Sequence, residues 1–180
     1  MSNGPKNYKA PEKEDIFSCA IQTPLGQICA AARNNALRGL WFTGQKYFPC
    51  KTADWINKPE YPPFVSLRTW LVNYFAGKNP KMDLPLDPAG TDFQKAVWKR
   101  LLEIPYGKTT TYGTIATQLK SEGMKASAQA AGQAVGHNPI SILIPCHRVL
   151  GSDGSLTGYA GGIEKKRALL KLEGVITCLQ

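Results

Sequence analysis

A thiol, an imidazole and a guanidinium follow one another in the stretch ILIPCHRVLG, residues 142–151. Cys146, His147 and Arg148 are flanked on both sides by aliphatic residues, in a run apolar enough to end in a core. A thiol in apolar surroundings has a raised pKa and is unreactive, whereas a nearby base or positive charge makes it a nucleophile. Most lone cysteines are buried structural residues. The adjacent histidine and arginine favour an activated nucleophile, but they do not exclude a buried structural cysteine.

Contact between the thiol and the imidazole depends on the backbone between them. Neighbouring side chains on an extended strand point to opposite faces, so Cys146 and His147 would need a turn or a bridging water. Pro145 restricts its own φ and can impose such a turn. Glu173 is the acid that we expect to orient His147, which would place a thiol, an imidazole and a carboxylate in series. We predict that the stretch is a strand that buries its aliphatic residues and delivers the thiol to a pocket.

The composition limits the class of protein. The chain has 180 residues, of which 43% are hydrophobic, and 22 Lys plus Arg against 13 Asp plus Glu give a net charge of +9. This excess favours an anionic partner such as nucleic acid or a membrane surface, with simple solubility as the alternative. No segment reaches the roughly 18 apolar residues of a membrane span, and the start lacks the apolar region of a signal peptide. We expect an intracellular protein with reduced cysteines.

Metal binding is not indicated by the cysteine and histidine positions. The five cysteines form no CxxC pair, and His137 and His147 are the two histidines. A zinc site would have to gather ligands from scattered positions. We therefore expect no metal.

The first half of the chain predicts a small sheet and one helix. Strand-like segments separated by the turn signals TPLG and Asn34-Asn35 indicate an antiparallel meander, and PPFVSLRTWLVNYFAGK has helical periodicity. The proline-rich segment 78–90 cannot form a regular helix, so we place the domain boundary there. The predicted division is a flexible segment 1–15, an N-terminal α/β domain 16–88 and a C-terminal domain 89–180.

The second half predicts short helices. Thr91 with Gln94 forms a capping-box pattern before a helix that ends at Pro105. TTYGTIATQLKSEG and SAQAAGQAVGHN then resemble a helix-turn-helix. The second of these is nearly all Ala and Gly, which indicates close approach to another molecule or tight packing inside the protein. Its expected inner face is Ala128, Ala131, Gly132 and Val135, and its expected polar row is Gln129, Gln133 and His137.

The last predicted helix is IEKKRALLKLEG. We expect Leu169, Leu170 and Leu172 to pack inward. The basic residues expected to point outward are Lys165, Lys166, Arg167 and Lys171.

Several motifs together resemble one known family. IPCHRV stands at 144–149, with Asn138-Pro139 before it and TGYAGG and LEG after it, and GTDFQKAVWKRLLEIPYGKTTTYG stands upstream. These motifs are similar to those of the O6-alkylguanine-DNA alkyltransferases, also called methylated-DNA–protein-cysteine methyltransferases. The match is specific over residues 90–174 and loose before them. It implies an α+β fold with a small N-terminal antiparallel sheet and a mainly helical, winged-helix-like C-terminal domain that carries a helix-turn-helix.

The resemblance also implies a reaction. The protein would bind double-stranded DNA containing O6-alkylguanine, flip the base out of the stack and transfer its alkyl group irreversibly to Cys146. In this family His147 takes the thiol proton through a water and Glu173 orients the imidazole. Each molecule would act once, as a monomer, without metal or cofactor. O4-alkylthymine is a further candidate substrate, and the compartment would be the cytoplasm, or the nucleus of a eukaryote.

The remaining site residues come from the same resemblance. The expected substrate-binding residues are Tyr112, Val149, Tyr159, Asn138 and Ala160. The expected DNA-binding residues are Gln129, Ala128, Gln133, Arg148 and Thr111. Gln129 stands where many family members have an arginine that fills the gap left by the flipped base. The helix in SAQAAGQAVGHN, rich in Ala and Gly, would then enter the minor groove of DNA. The net positive charge of the protein would add affinity that is independent of DNA sequence.

Two other hypotheses stay open at this level. The protein could be a non-catalytic, base-flipping protein that flags alkylated bases for another repair pathway, which alkylation of Cys146 would exclude. It could also be a cysteine hydrolase using Cys146 and His147, which would require turnover on an ester or amide.

Overall fold

The computed structural model describes residues 15–176. The predicted flexible segment, apart from Asp15, and Cys178 lie outside this range. The strands are β1 (Phe17–Thr23), β2 (Gly26–Arg33), β3 (Ala36–Phe42), β4 (Ile56–Asn57), β5 (Thr110–Thr111) and β6 (Val149–Leu150). The helices are α1 (Pro62–Phe75), α2 (Asp92–Leu102), α3 (Tyr112–Ser121), α4 (Ala128–Gly136) and α5 (Ile163–Leu172).

The N-terminal part is a four-stranded sheet covered by α1. Its order is β3-β2-β1-β4, and the first three strands form the predicted antiparallel meander. Asn34 and Asn35 both have positive φ, as the predicted turn requires. The short β4 pairs parallel to β1 in a region that the sequence predicts as irregular. The buried face of α1 carries Phe64, Leu67, Leu71 and Tyr74.

The C-terminal part contains the predicted short helices. Thr91 and Gln94 form the reciprocal capping box that begins α2, which confirms the sequence signal. The hydroxyls of Thr111 and Ser127 cap α3 and α4 in the same manner, each accepting from a backbone N–H three residues on. The buried residues of α4 are Ala131, Ala134 and Val135. The prediction that Ala128 faces inward is wrong, because it lies in the exposed first turn.

A backbone ladder joins the two parts. Leu40 of β3 donates its N–H to Pro139 O and accepts from Ser141 N, both at 2.8 Å. This bridge places the segment after α4 beside the N-terminal sheet. One continuous hydrophobic core includes residues from both parts. The sheet therefore supports the chain just before the thiol.

The stretch 142–151 is not the predicted strand. Ile142 has a positive φ, Cys146–Arg148 forms one turn of 3-10 helix, and only Val149–Leu150 is extended, in β6. Pro145 precedes the turn, as its restricted φ predicts. The turn removes the alternation of a strand, so Cys146 and His147 are both buried. No helix within residues 15–176 is long and apolar enough to cross a membrane.

Candidate active site

A cavity of about 490 Å³ opens beside Cys146. Helix α4, the loop after β6, Tyr112 and two residues of the N-terminal part form its walls. Its lining residues are Lys46, Tyr47, Tyr112, Gly132, Val135, Gly136, Cys146, Thr157, Gly158, Tyr159, Ala160, Gly162 and Ile163. Cys146 is 6% exposed, so the thiol is reached through this cavity and is otherwise enclosed.

Asn138 holds the thiol and the turn that carries it. Its Nδ2 lies 3.1 Å from Cys146 Sγ and donates to Ile144 O at 2.8 Å, while its Oδ1 accepts from Ile140 N at 3.0 Å. These bonds support the expected role of Asn138 in bracing the turn, and the contact with the sulfur adds a direct link to the thiol. Burial raises the pKa of the Cys146 thiol, whereas the Asn138 hydrogen bond and the charge of Lys166 lower it.

His147 and Glu173 form a buried pair. Nε2 of His147 lies 2.8 Å from Oε1 of Glu173, and both side chains are fully buried. Because the partner is a carboxylate, Nε2 carries the proton and Nδ1 is the basic nitrogen. Within residues 15–176, Nδ1 has no hydrogen-bond partner. Burial lowers the pKa of His147 while Glu173 opposes the shift, so the imidazole is neutral and able to accept a proton.

Glu173 collects donors from several parts of the chain. Arg148 donates from Nε and Nη2 at 2.8 and 2.9 Å, and Tyr74 donates its hydroxyl at 2.7 Å. Gly107 adds its backbone N–H at 3.2 Å. Burial alone raises the pKa of Glu173, but the hydrogen bonds from His147 and Arg148 outweigh it and lower the pKa to about 2. The carboxylate is therefore ionised and keeps the His147 tautomer in place.

Arg148, which we expect to bind DNA, has its guanidinium engaged inside the protein. Its side chain is 12% exposed. Nη1, the guanidinium nitrogen that does not bond to Glu173, donates to Ile104 O at 2.6 Å. A buried carboxylate needs a cationic partner, and the planar guanidinium meets it with two parallel bonds. Arg148 is thus held by Glu173 and by the Ile104 carbonyl.

Lys166 is a site residue that the sequence analysis placed outside. It is 0% exposed, and its ammonium donates to Val149 O and Thr157 O, both at 2.6 Å. Burial lowers the pKa of Lys166 to about 8, and the nearby Cys146 opposes this shift. Helical spacing in the sequence indicates its inward position, because Leu169 and Leu170 follow Lys166 by three and four residues and so share its helix face.

Three of the residues expected to contact the base, Tyr112, Tyr159 and Ala160, line the cavity. The hydroxyl of Tyr112 lies 3.4 Å from Thr157 O. The Tyr159 hydroxyl is buried, and burial raises its pKa. Ala160 lines the cavity, and the Val149 carbonyl accepts from Lys166.

The other residues expected to contact DNA lie on the helix-turn-helix. Ala128, Gln129 and Gln133 are exposed on α4. Thr111 is half-buried, and its hydroxyl already accepts from Thr114 N at 3.1 Å. Among residues 15–176, no group of three or more His, Cys, Asp or Glu side chains is placed to hold a metal ion.

Comparisons with known proteins point to one family. The family model described as 6-O-methylguanine DNA methyltransferase, ribonuclease-like domain, matches residues 16–88. The family model for the DNA binding domain of 6-O-methylguanine DNA methyltransferase matches residues 92–175. Methylated-DNA--protein-cysteine methyltransferases of Mycobacterium tuberculosis and Methanosarcina barkeri are each 48% identical over 153 residues. That is 85% of this chain, and 89% and 94% of theirs. The crystal structure of Mycobacterium tuberculosis OGT in complex with DNA has a TM-score of 0.79 at 44% identity, covering 87% of this chain and 92% of that one.

Proposed function

The chain belongs to the 6-O-methylguanine DNA methyltransferase family, and we propose that Cys146 accepts the alkyl group of O6-alkylguanine in double-stranded DNA. The protein is a methylated-DNA–protein-cysteine methyltransferase that acts in DNA repair, with DNA as its partner. One observation supports Cys146 above all. The thiol opens into a cavity, and the next residue, His147, has one ring nitrogen held by a carboxylate and the other without a hydrogen-bond partner among residues 15–176.

The proposed reaction balances without a cofactor. His147 Nδ1 takes the thiol proton through a water, and the Cys146 thiolate attacks the alkyl carbon. The S–C bond forms as the C–O6 bond breaks, and guanine leaves with the electron pair and regains a proton, for which the Tyr112 phenol is our candidate donor. The product thioether has no good leaving group, so water cannot restore the thiol and each molecule reacts once.

Four residues then act by positioning. Glu173 fixes the His147 tautomer and stabilises the imidazolium that forms, and Arg148 keeps Glu173 ionised. Asn138 and Lys166 favour the thiolate, because each lowers the pKa of Cys146 against the effect of burial. Since burial keeps that pKa raised at rest, we propose that the thiolate forms when the reaction begins.

The base and the duplex are bound by opposite faces of the same region. We propose that Val149 O, Tyr159 and Ala160 meet the flipped base, and that α4 enters the minor groove with Ala128, Gln129 and Gln133 outward. Gln129 would occupy the gap that the flipped base leaves in the DNA base stack. Thr111 would contact the DNA backbone through its exposed part. O4-alkylthymine is a second candidate base.

The remaining proposals concern the whole chain. We propose a division into domains 16–88 and 89–180, and a monomer as the acting form. Because its substrate is genomic DNA, the protein would act in the cytoplasm of a prokaryote or in a eukaryotic nucleus.

Peptide mass spectrometry tests the proposed function. After incubation with duplex DNA containing O6-methylguanine, we expect one added methyl group per protein, on the Cys146 peptide. Cys146→Ser should gain none, and Cys50→Ser, at an exposed cysteine outside the cavity, should react like the wild type. Tight duplex binding without a mass change would favour a non-catalytic lesion-binding protein, and repeated turnover on an ester would favour a hydrolase.

A further inference from the structure

The N-terminal part contributes two residues to the wall of the active-site cavity. Lys46 and Tyr47 follow β3, whereas the other described residues that line the cavity come from the C-terminal part. Tyr47 is 58% exposed, which is high for a large aromatic side chain. Its ring is therefore available to a molecule in the cavity.

Hydrogen bonds hold this segment against both sides of the cavity. The buried Gln45 side chain accepts from Phe42 N at 2.8 Å and from the Ser141 hydroxyl at 3.2 Å. Lys46 donates its N–H to Ala160 O at 3.1 Å. The residues on either side of the cavity, before the thiol turn and after β6, thus fix the position of Tyr47.

The ring of Tyr47 packs on the end of α4. It stacks on His137 with the ring centroids 4.0 Å apart and the planes 30° from parallel. The backbone of Tyr47 has φ of +60°, a region that bulky residues rarely adopt. Such a conformation persists where the surroundings impose it, and it is often found at functional sites. Here it holds an aromatic ring at the rim of the cavity.

Two aromatic side chains consequently stand at two points along α4. The Tyr112 ring lies beside Gly132, where a Cβ would meet it at 3.5 Å, and Tyr47 lies beside His137. Five residues separate these points, which is about 7.5 Å along a helix. Tyr47 and Tyr112 both line the cavity, so a flat base inside it has aromatic side chains available on its wall.

We propose that Tyr47 is a substrate-contacting residue of the alkyl transfer, with its ring forming the outer wall of the pocket and stacking on the extrahelical alkylguanine. This inference rests on the proposed function of Cys146. It gives the N-terminal part a direct share in substrate binding, beyond supporting the fold. Because the ring meets the base and not the DNA backbone, its contribution applies to a free nucleoside as well as to a duplex.

Two variants separate the ring from the backbone strain. Tyr47→Gly removes the ring and accepts a positive φ without strain, and Tyr47→Phe keeps the ring. We expect Tyr47→Gly to lower the second-order rate constant of Cys146 methylation about tenfold, the scale of one base–aromatic stack. The loss should appear with duplex O6-methylguanine and with the free O6-methylguanine nucleoside. Tyr47→Phe should react within about twofold of the wild type, and the melting temperature of Tyr47→Gly should not fall.

Each other outcome contradicts the inference. Wild-type rates in Tyr47→Gly would show that the ring has no contact with the substrate. Faster transfer in Tyr47→Gly would identify the ring as an obstruction, and equal losses in Tyr47→Gly and Tyr47→Phe would point to the hydroxyl. Failure of the wild type to methylate Cys146 would instead refute the proposed function on which the inference rests.

Discussion

At the scale of single residues, buried charges are arranged around a thiol that is not charged itself. Glu173 is ionised because His147 and Arg148 donate hydrogen bonds to its carboxylate. His147 is neutral because burial lowers its pKa more than the neighbouring carboxylate raises it. Lys166 is the second buried cation, and it is satisfied by carbonyl oxygens. A buried charge is stable when it is paired or hydrogen-bonded, so this set keeps its protonation states before any substrate enters.

We expect Lys166→Met to slow Cys146 methylation by about tenfold or more at neutral pH. The variant keeps much of the packing but removes the charge that lowers the pKa of Cys146. It also removes the ammonium that donates to Val149 O and Thr157 O, at a cost of about 1–3 kcal/mol in unfolding free energy.

A pH–rate profile of Lys166→Met separates the two effects. The rise of the rate with pH should move to higher pH, because the thiol loses a favourable charge. Lys171→Met, on an exposed position of α5, serves as the matched control and should react normally. A loss of melting temperature with an unchanged profile would mean that Lys166 is purely structural.

At the scale of elements, the small residues of α4 have two different explanations. A Cβ at Gly132 would meet the Tyr112 ring at an ordinary distance of 3.5 Å, whereas one at Gly136 would have no described atom within 4 Å apart from its chain neighbours and its own helix backbone. Internal packing therefore does not account for both glycines. Of the two explanations drawn from the sequence, close approach by another molecule is favoured at Gly136, which lines the cavity proposed to hold the flipped base.

We expect Gln133→Glu to weaken binding to duplex DNA more than Gln22→Glu does. Both changes convert an exposed glutamine into an acid of the same shape, on α4 and on β1 respectively. Net charge falls equally in the two variants, so a difference between them reports on the position of α4 near phosphates. Fluorescence anisotropy with a labelled duplex at fixed salt measures it, and equal losses would contradict the proposed role of α4.

At the scale of the whole molecule, the active site lies where the two parts of the chain meet. Tyr74 of α1 donates its hydroxyl to Glu173, and Leu40 of β3 carries the bridge to Pro139 and Ser141. Burial of Tyr74, together with the neighbouring carboxylate, raises the pKa of its phenol, so it remains a donor. The folding of the N-terminal part and the protonation state of the site are therefore linked.

This link predicts loss of stability in acid. The pKa of Glu173 falls from an ordinary 4.5 to about 2 in the folded protein, so its contribution is complete above pH 4.5 and disappears towards pH 2. A lowering of this size corresponds to about 3 kcal/mol. The lowered pKa of His147 also reduces the unfolding free energy in acid. This loss begins as the pH falls below the ordinary pKa of 6.5. Urea unfolding should thus give lower free energies at pH 5 than at pH 7, and lower again at pH 3.

Tyr74→Phe tests the contribution of Glu173. Without the hydroxyl, the folded-state pKa of Glu173 rises, and the acid-unfolding midpoint followed by circular dichroism should move to higher pH. Tyr61→Phe is the control, because the Tyr61 hydroxyl accepts only from Asn35 N among the bonds that the structure describes. Equal shifts in both variants would argue against a special role for Glu173.

Local patterns in the sequence were sufficient for most of the elements. Helical periodicity, the Thr91 capping box, and the asparagine turn act over a few residues, and the structure confirms each of them. The motif around Cys146 also led to His147 and Glu173, through resemblance to a family with this arrangement. Such features are visible in sequence because their physical causes are local or are repeated in relatives.

Other features depend on contacts between distant residues. The burial of Lys166, the engagement of Arg148 by Glu173, and the position of Tyr47 against His137 each join segments far apart in the chain. The expected strand at Cys146 became a turn, because the bridge from Leu40 and the bonds of Asn138 determine its path. Whether a lysine is buried or an arginine faces solvent depends on which partners the fold brings within about 3 Å, and that distance does not follow from spacing along the chain.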